Sequence, residues 1–216
     1  MKIKASSIQN LTDARYFAAW HVEWLGFSLE LGNANYTRPQ DVKEIKDWLV
    51  GPKIVGEFGL AQSLEEIQEA VELLHLDAVQ VGPYAEEGLL QGLSPIPVLQ
   101  EWVLENWEGL PGFDQHCQKT ADWVAYYYLN LEKSGLSWAS LKDHKAALEQ
   151  LQALCEEYPI ILSLQCSPEE LEEIIQQVQP YGWSFQGGEE ERIGVKSFDD
   201  LDGFFETLEE LDLIDY

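Results

Sequence analysis

The sequence is poor in basic residues, in cysteine and in long apolar runs, and each shortage excludes a class of protein. Lysine and arginine together number 13 against 39 aspartates and glutamates, which leaves a net charge of −26. Affinity for nucleic-acid phosphates and for anionic lipid surfaces depends on lysine and arginine, so we expect no nucleic-acid partner and no membrane partner. No run reaches the roughly 18 apolar residues that a membrane span requires.

The three cysteines, Cys117, Cys155 and Cys166, are too few and too widely spaced for a disulfide framework or for a CxxC-type metal motif. We therefore expect reduced, structural thiols, with no metal and no cofactor. Residues 1–6 contain two lysines but no apolar run after them, which argues against a signal peptide. We expect a cytoplasmic, acidic protein whose first strand begins at this end.

Short apolar runs alternate with amphipathic stretches along the whole chain. Eight runs are predicted to be strands, at residues 2–6, 24–29, 53–58, 78–81, 97–103, 123–129, 160–164 and 183–186. Amphipathic stretches predict helices at residues 12–20, 39–49, 64–74, 142–157, 168–178 and 198–211, with a short helix at 85–91. Two glycines and a proline lie between residues 105 and 121, where we expect an irregular loop with at most a short helix.

Alternating strands and helices are typical of an α/β protein with a parallel sheet. A doubly wound sheet and a closed barrel both fit this pattern, but eight strands with no spare element favour a (β/α)8 TIM barrel. No linker rich in serine, glycine or proline divides the chain, so we expect residues 1–216 to form a single domain. Function in such a barrel lies at the carboxyl ends of the strands and in the loops that follow them.

Several of these units resemble the phosphoribosylanthranilate isomerase family of tryptophan biosynthesis. The family opens with a strand of the form KICGIT, which is matched here by KASSIQ at 4–9, and its NLxDA helix start is matched by NLTDA at 10–14. Further matches are LGF at 25–27, NYTRP at 35–39, VGEF at 55–58, LDAVQV at 76–81 and SPEE at 167–170. The resemblance covers roughly the first 82 and the last 60 residues, and it supports the same barrel fold.

The resemblance also implies a reaction and a set of positions. Family members catalyse an Amadori rearrangement, which converts an aminoaldose to an aminoketose. They use a base at the end of the first strand and an acid at the end of the sixth strand. They bind the phosphate group of the substrate in the turns after the seventh and eighth strands. The positions that match the base and the acid are Ser6 and Tyr127. The positions that match substrate contacts are Asn35, Arg38, Gln80, Gln165, Gly187 and Gly188.

Most of these positions carry residues that are poorly suited to the family reaction. Ser6 replaces a cysteine, and a hydroxyl is a far weaker base than a thiolate. Tyr127 replaces an aspartic acid, and the usual tyrosine pKa of about 10 suits the proton donation less well. Asn35 replaces an arginine, while Leu164 and Gln165 replace glycines whose bare backbone would approach a phosphate. We therefore predict a divergent member of the family that lacks isomerase activity.

Three functions remain open from the sequence. The predicted one is a non-catalytic homologue that binds a small molecule or has a regulatory role. The second is an active isomerase that uses Ser6, Tyr127 and Arg38 in unusual ways. The third is a different barrel enzyme that uses Glu57 and Glu101, because inward-facing residues of the third and fifth strands share layers and paired carboxylates can perform acid–base chemistry. These two glutamates would have no such role if they pointed to solvent. The sequence predicts no oligomeric state.

Overall fold

Eight parallel strands close into a barrel, and they are arranged around it in the order in which they occur along the chain. The computed structural model describes residues 1–59, 62–187, 190–192, 195–196 and 198–214. The strands are β1 (Lys2–Ser6), β2 (Trp24–Ser28), β3 (Lys53–Glu57), β4 (Ala78–Val81), β5 (Val98–Val103), β6 (Tyr126–Asn130), β7 (Ile160–Ser163) and β8 (Gly182–Gln186). The predicted (β/α)8 TIM barrel is confirmed.

Helices follow the strands and cover the outside of the barrel. They are α1 (Leu11–Ala19), α2 (Pro39–Lys46), α3 (Leu64–Leu74), α4 (Glu87–Gly92), α5 (Leu110–Thr120), α6 (Trp138–Lys142), α7 (Lys145–Glu157), α8 (Pro168–Val178) and α9 (Asp199–Glu210). Capping boxes begin α3 at Ser63 and α8 at Ser167. Within the described ranges, no helix is both long enough and apolar enough to cross a membrane.

The segment between β5 and β6 differs from the prediction. In place of an irregular loop, a short 3-10 turn at Trp107–Gly109 leads into the eleven-residue helix α5. Pro111 lies in the first turn of this helix, where its missing N–H costs nothing. Leu110, Phe113 and Cys117 recur at helical spacing and are fully buried, so packing against the barrel outweighs the low helix propensity of the glycine and the proline.

Two smaller differences concern the second half of the chain. The helix predicted at 142–157 is interrupted, because α6 ends at Lys142 and α7 begins at Lys145. Two short strands follow β8 and pair antiparallel with each other, β9 (Glu190–Arg192) and β10 (Val195–Lys196). This hairpin was not predicted, and it is separate from the sheet of the barrel.

The interior of the barrel is apolar in its middle and polar at its carboxyl end. Six inward-facing side chains form the apolar layer, namely Trp24, Val55, Ala78, Leu99, Tyr128 and Ile161. Side chains alternate between the two faces of a strand, so the residues two positions further along face the same interior. On β3 to β7 these are Glu57, Gln80, Glu101, Asn130 and Ser163. The barrel therefore presents a ring of polar groups to the loops above it.

Candidate functional site

The polar end of the barrel encloses a cavity of about 420 Å³. This volume lies within the range of small-molecule pockets, and the position is where barrels of this kind carry their functional sites. Five of the residues singled out from the sequence line it, namely Ser6, Asn35, Glu57, Gln80 and Glu101. The structure thus brings together residues that lie up to 95 positions apart in the chain.

A buried lysine lies at the base of this cavity. Lys4 is fully buried, and its Nζ donates to Ser6 Oγ and to Glu57 Oε1, each at 2.5 Å. The backbone N–H of Ser7 donates to the second carboxylate oxygen, Glu57 Oε2, at 3.1 Å. Ser6 Oγ also lies 3.0 Å from Ser184 Oγ on β8. The lysine and the glutamate therefore form an ion pair whose remaining polar atoms are also engaged.

Two neighbours allow this ion pair to be buried. Residue 26 on β2 is a glycine, and a Cβ atom there would overlap the carboxylate of Glu57. The ring of Tyr128 lies 5.2 Å from Lys4 Nζ, which adds a cation–π contact. Taking two charges out of water is costly, so a buried pair persists only where such contacts and hydrogen bonds satisfy both ions.

A second ion pair lies two strands further around the barrel, on β5. Glu101 Oε1 accepts hydrogen bonds from Lys133 Nζ at 2.7 Å and from Asn130 Nδ2 at 2.9 Å. Asn130 Nδ2 also donates to the hydroxyl of Tyr128 at 3.1 Å. Burial, followed by the charge of Glu101, raises the pKa of Tyr128 well above its ordinary value, so its hydroxyl stays protonated. Glu57 and Glu101 each have a lysine partner of their own.

Gln80 occupies the space between these two ion pairs. It pairs in register with Glu57 across β3 and β4, and its side chain lines the cavity while remaining only 7% exposed. Its Oε1 is buried and has no hydrogen-bond partner in the described part of the chain. A buried acceptor without a donor costs roughly 1–3 kcal/mol. A ligand with a donor group would remove that cost.

Solved structures of phosphoribosylanthranilate isomerases match this chain over nearly its whole length. The enzyme from Thermus thermophilus is 26% identical, with a TM-score of 0.74 over 98% of this chain and 100% of that one. The chain is a phosphoribosylanthranilate isomerase-like barrel. The Thermotoga maritima enzyme shares the fold at 19% identity, with a TM-score of 0.76 over 97% of this chain and 99% of that one.

The same barrel fold also occurs in a solved structure that is not of a phosphoribosylanthranilate isomerase. A 3-hexulose-6-phosphate synthase matches with a TM-score of 0.67 at 11% identity, over 96% of this chain and 99% of that one. No protein-family model and no curated protein matches the sequence. The residues of the cavity must therefore carry any argument about function.

The structure corrects the position of the sixth-strand acid. Tyr127 points away from the cavity of the isomerase-like barrel, toward α5, where its hydroxyl donates to Cys117 O at 3.0 Å and lies 2.9 Å from Thr120 Oγ1. The residue that ends β6 on the inner face is Asn130. The prediction of Tyr127 at this place is wrong because the strand register was misjudged, and a shift of one residue reverses the face.

Arg38, one of the positions matched to substrate contacts, does not line the cavity of this isomerase-like barrel. Arg38 is exposed, and its guanidinium makes two hydrogen bonds to Asp41, at 2.7 and 2.8 Å, away from the cavity. Asn35 does line the cavity, and its Oδ1 accepts a hydrogen bond from Gln9 Nε2 at 2.6 Å. The side chain presented to the cavity at position 35 is therefore an uncharged amide.

The turns after β7 and β8 are the ones expected to hold a phosphate group, and the structure describes them up to Gly187. Leu164 is buried after β7, and the side chain of Gln165 is exposed rather than directed into the cavity. The N–H of Gly187 donates to Ser6 O at 3.1 Å, so it is already engaged. Gly188 lies outside the described residues. Neither Gln165 nor Gly187 therefore offers its backbone N–H group to an anion.

The cavity offers carboxylates but no metal centre in the part of the chain that the structure describes. There, no group of three or more histidines, cysteines, aspartates or glutamates is placed to hold a metal ion. Glu57 and Glu101 are engaged by lysines, and a cation ligand would compete with both ammonium groups. The arrangement suits hydrogen bonding to a small molecule better than metal coordination.

Several residues of the site were missed from the sequence. They are Lys4, Tyr128, Asn130, Lys133 and Ser184. The sequence did contain a signal for Lys4. It lies two residues before Ser6 on a predicted strand and must therefore point to the same face of that strand. For the others, the strand register had to be known to a single residue.

Proposed function

We propose that this phosphoribosylanthranilate isomerase-like barrel binds a small polar molecule in its mouth and does not catalyse the Amadori rearrangement. The observation that carries this proposal is the pair of residues at the ends of the first and sixth strands, Ser6 and Asn130. The rearrangement needs a base to remove a proton from the sugar and an acid to protonate the ring oxygen. Neither residue suits its role.

Among the described residues, no base lies beside Ser6. A serine hydroxyl acts as a base or a nucleophile only when a neighbouring group takes its proton. In the described ranges, the groups within hydrogen-bond distance of Ser6 Oγ are the ammonium of Lys4, which donates to it, and the hydroxyl of Ser184. Lys4 Nζ donates to Glu57 Oε1 as well as to Ser6 Oγ, so it meets the serine as a hydrogen-bond donor and not as an acceptor.

Asn130 has no acidic proton to give. An amide group donates hydrogen bonds but does not release a proton near neutral pH. Its Nδ2 is held by Glu101 Oε1 and the hydroxyl of Tyr128, and its Oδ1 accepts from the backbone N–H of Lys133 at 3.1 Å. The amide therefore supports the wall of the cavity as a fixed hydrogen-bonding group.

A phosphorylated substrate also meets an unfavourable field. Of the residues that the structure describes, the glutamates Glu30, Glu57 and Glu101 line the cavity, and the whole chain carries a net charge of −26. Long-range repulsion lowers the rate at which an anion reaches such a site. This supports an uncharged or cationic ligand rather than a sugar phosphate.

The test is isomerase activity with N-(5'-phosphoribosyl)anthranilate as substrate. We expect the purified protein to show no turnover, and we expect it not to restore growth without tryptophan to a bacterial strain that lacks the isomerase. The Thermus thermophilus enzyme serves as the positive control. Turnover that disappears in the Ser6→Ala variant would overturn the proposal and support an active enzyme with an unusual base.

A further inference from the structure

We infer that the mouth cavity binds an uncharged polyol of the size of a sugar, with several neighbouring hydroxyl groups and no phosphate. The inference rests on the proposed function, in which the mouth is a binding site, and it names the class of ligand. It comes from acceptor atoms that the described part of the protein leaves without donors, from donors beside them, and from an exposed aromatic ring.

Two oxygen atoms at the cavity have no hydrogen-bond donor among the described residues. The side chain of Gln80 lines the cavity, is more than nine-tenths buried, and has an Oε1 without a partner there. Glu101 accepts both of its hydrogen bonds through Oε1, which leaves Oε2 for a ligand. Gln80 lies on β4 and Glu101 on the neighbouring strand β5, so donors on one ligand can serve both oxygens.

Lys133 supplies hydrogen-bond donors to the same part of the cavity. Its ammonium group has three N–H donors, and within the described ranges it uses one of them, in the 2.7 Å bond to Glu101 Oε1. A ligand group that lies between this lysine and the free oxygen of Glu101 must therefore accept one hydrogen bond and donate another. A hydroxyl group does both, whereas an ammonium group only donates and an ionised carboxylate only accepts.

Uncharged polar groups also contribute to the cavity wall. They include the side chains of Ser7, Ser28, Asn33, Asn35 and Gln186. Hydroxyl and amide groups can hydrogen-bond to several hydroxyls of one ligand without adding a charge beside the two ion pairs. A hexose or a cyclitol fits within a cavity of about 420 Å³.

An aromatic ring at the rim matches the apolar part of such a ligand. Tyr84 follows β4 and lines the cavity, yet its side chain is 80% exposed. Sugars carry C–H groups on the face of their ring, and this face packs against the electron-rich face of an aromatic ring while the hydroxyls at its edge form hydrogen bonds. A polyol bound to Gln80 and Glu101 would cover this exposed ring.

Other classes of ligand fit less well. An amine gives the ammonium of Lys133 no acceptor and places a second cation beside it. An ionised carboxylate gives neither Gln80 nor Glu101 a donor. A phosphate group finds the backbone N–H groups of Gln165 and Gly187 already engaged.

The experiment compares polyols with ring compounds of similar size, using the intact protein. The polyols are myo-inositol, D-glucose and D-ribose. The controls are cyclohexanol, cyclohexylamine and cyclohexanecarboxylate, whose rings carry a single hydroxyl, ammonium or carboxylate group. Dissociation constants are measured by saturation-transfer NMR titration. We expect at least one polyol to bind, and to bind more tightly than each of the three controls.

A substitution at Gln80 tests whether the cavity holds the polyol. In Gln80→Leu we expect the dissociation constant of that polyol to rise about tenfold, because a hydrogen bond to a buried acceptor is lost. The urea midpoint should not fall, because the variant removes an acceptor that the folded protein leaves without a donor, whereas a merely structural glutamine would lower it. Gln115→Leu makes the same change at an exposed position on α5 and should leave the affinity within about twofold.

Two more variants address the other contacts. Lys133→Met removes the donors beside Glu101, and Tyr84→Ala removes the exposed ring. We expect each to weaken binding of the polyol about fivefold. The side chain of Lys133 is 50% exposed and that of Tyr84 is more exposed still, so these variants also serve if Gln80→Leu fails to fold.

The inference is overturned if none of the three polyols binds, or if a control compound binds as tightly as the best polyol. It is also overturned if Gln115→Leu weakens binding as much as Gln80→Leu does, or if Lys133→Met and Tyr84→Ala leave it unchanged. The two proposals fail separately. An active isomerase that still binds the polyol contradicts only the proposed function, while an inactive protein that binds no polyol contradicts only this inference.

Discussion

Substituting methionine for Lys4 leaves the carboxylate of Glu57 inside the barrel without its cation. Lys4 is fully buried and Glu57 is 8% exposed, so water replaces the lost partner poorly. Among the described residues, the hydrogen bond that Glu57 keeps is the one from the N–H of Ser7. Removing one member of a buried ion pair costs roughly 3–5 kcal/mol. We expect a loss of about 4 kcal/mol, a large share of the roughly 5–15 kcal/mol that stabilises a typical domain.

The double variant Lys4→Met/Glu57→Gln shows whether this loss comes from the unpaired charge. With both charges removed, we expect most of the stability to return, and the two substitutions should be strongly non-additive. Arg38→Met is the matched control, because its ion pair with Asp41 has a similar distance of 2.7 Å but its side chain is 74% exposed. Exposed ion pairs contribute about 0–1 kcal/mol, so the free energy of unfolding of this variant should differ little from that of the unsubstituted protein.

The assay is urea unfolding monitored by tryptophan fluorescence. The eight tryptophans of the chain make this signal sensitive to unfolding. Linear extrapolation gives the free energy of unfolding in water for each variant. A loss below about 1 kcal/mol in Lys4→Met would show that water or a rearranged side chain compensates Glu57. The reasoning is also refuted if the double variant loses as much free energy of unfolding as the two single variants lose together.

Two further predictions concern titratable groups away from the cavity. Partial burial acts to raise the pKa of Glu23, but hydrogen bonds from Lys2 and Lys53 hold it below its ordinary value of 4.5. Its stabilising contribution is therefore complete above pH 4.5 and is lost as the pH falls through the folded-state pKa, so Glu23→Gln should destabilise the protein near neutral pH and not in strong acid. A pH-independent difference in urea unfolding would contradict this. Burial raises the pKa of the Cys166 thiol to about 12, so a disulfide reagent in mildly alkaline buffer should modify it far more slowly in the folded protein than in urea. Equal rates, with Cys166→Ser used to assign the signal, would show that the thiol is accessible and ionised.

The fold follows from local features of the sequence. Apolar runs of four to seven residues that alternate with amphipathic stretches predict strands and helices because their periods differ. Eight such units with no linker predict a closed barrel of a single sheet, as the structure shows. The capping boxes at Ser63 and Ser167 were also readable, because they depend on residues only three positions apart. The location of the site at the carboxyl ends of the strands follows from the barrel itself.

The content of the site depends on contacts that no local pattern contains. Lys4 and Glu57 are 53 positions apart, and Lys133 and Glu101 are 32 apart. Whether a strand residue faces the cavity or the helices depends on register, and Tyr127 lies three residues before the inward-facing Asn130, which puts it on the opposite face of β6. α5 likewise forms because its apolar face packs on the barrel, against the propensity of its own residues.

The sequence by itself therefore determined the barrel and the end of it that carries the candidate site, because periodicity and connectivity are properties of neighbouring residues. Only the tertiary structure decided which charges meet there. It placed a lysine beneath Ser6, gave each of the two glutamates a lysine partner and left the amide of Gln80 without a donor in the described part of the chain. Those pairings are set by distances between strands that are far apart in sequence.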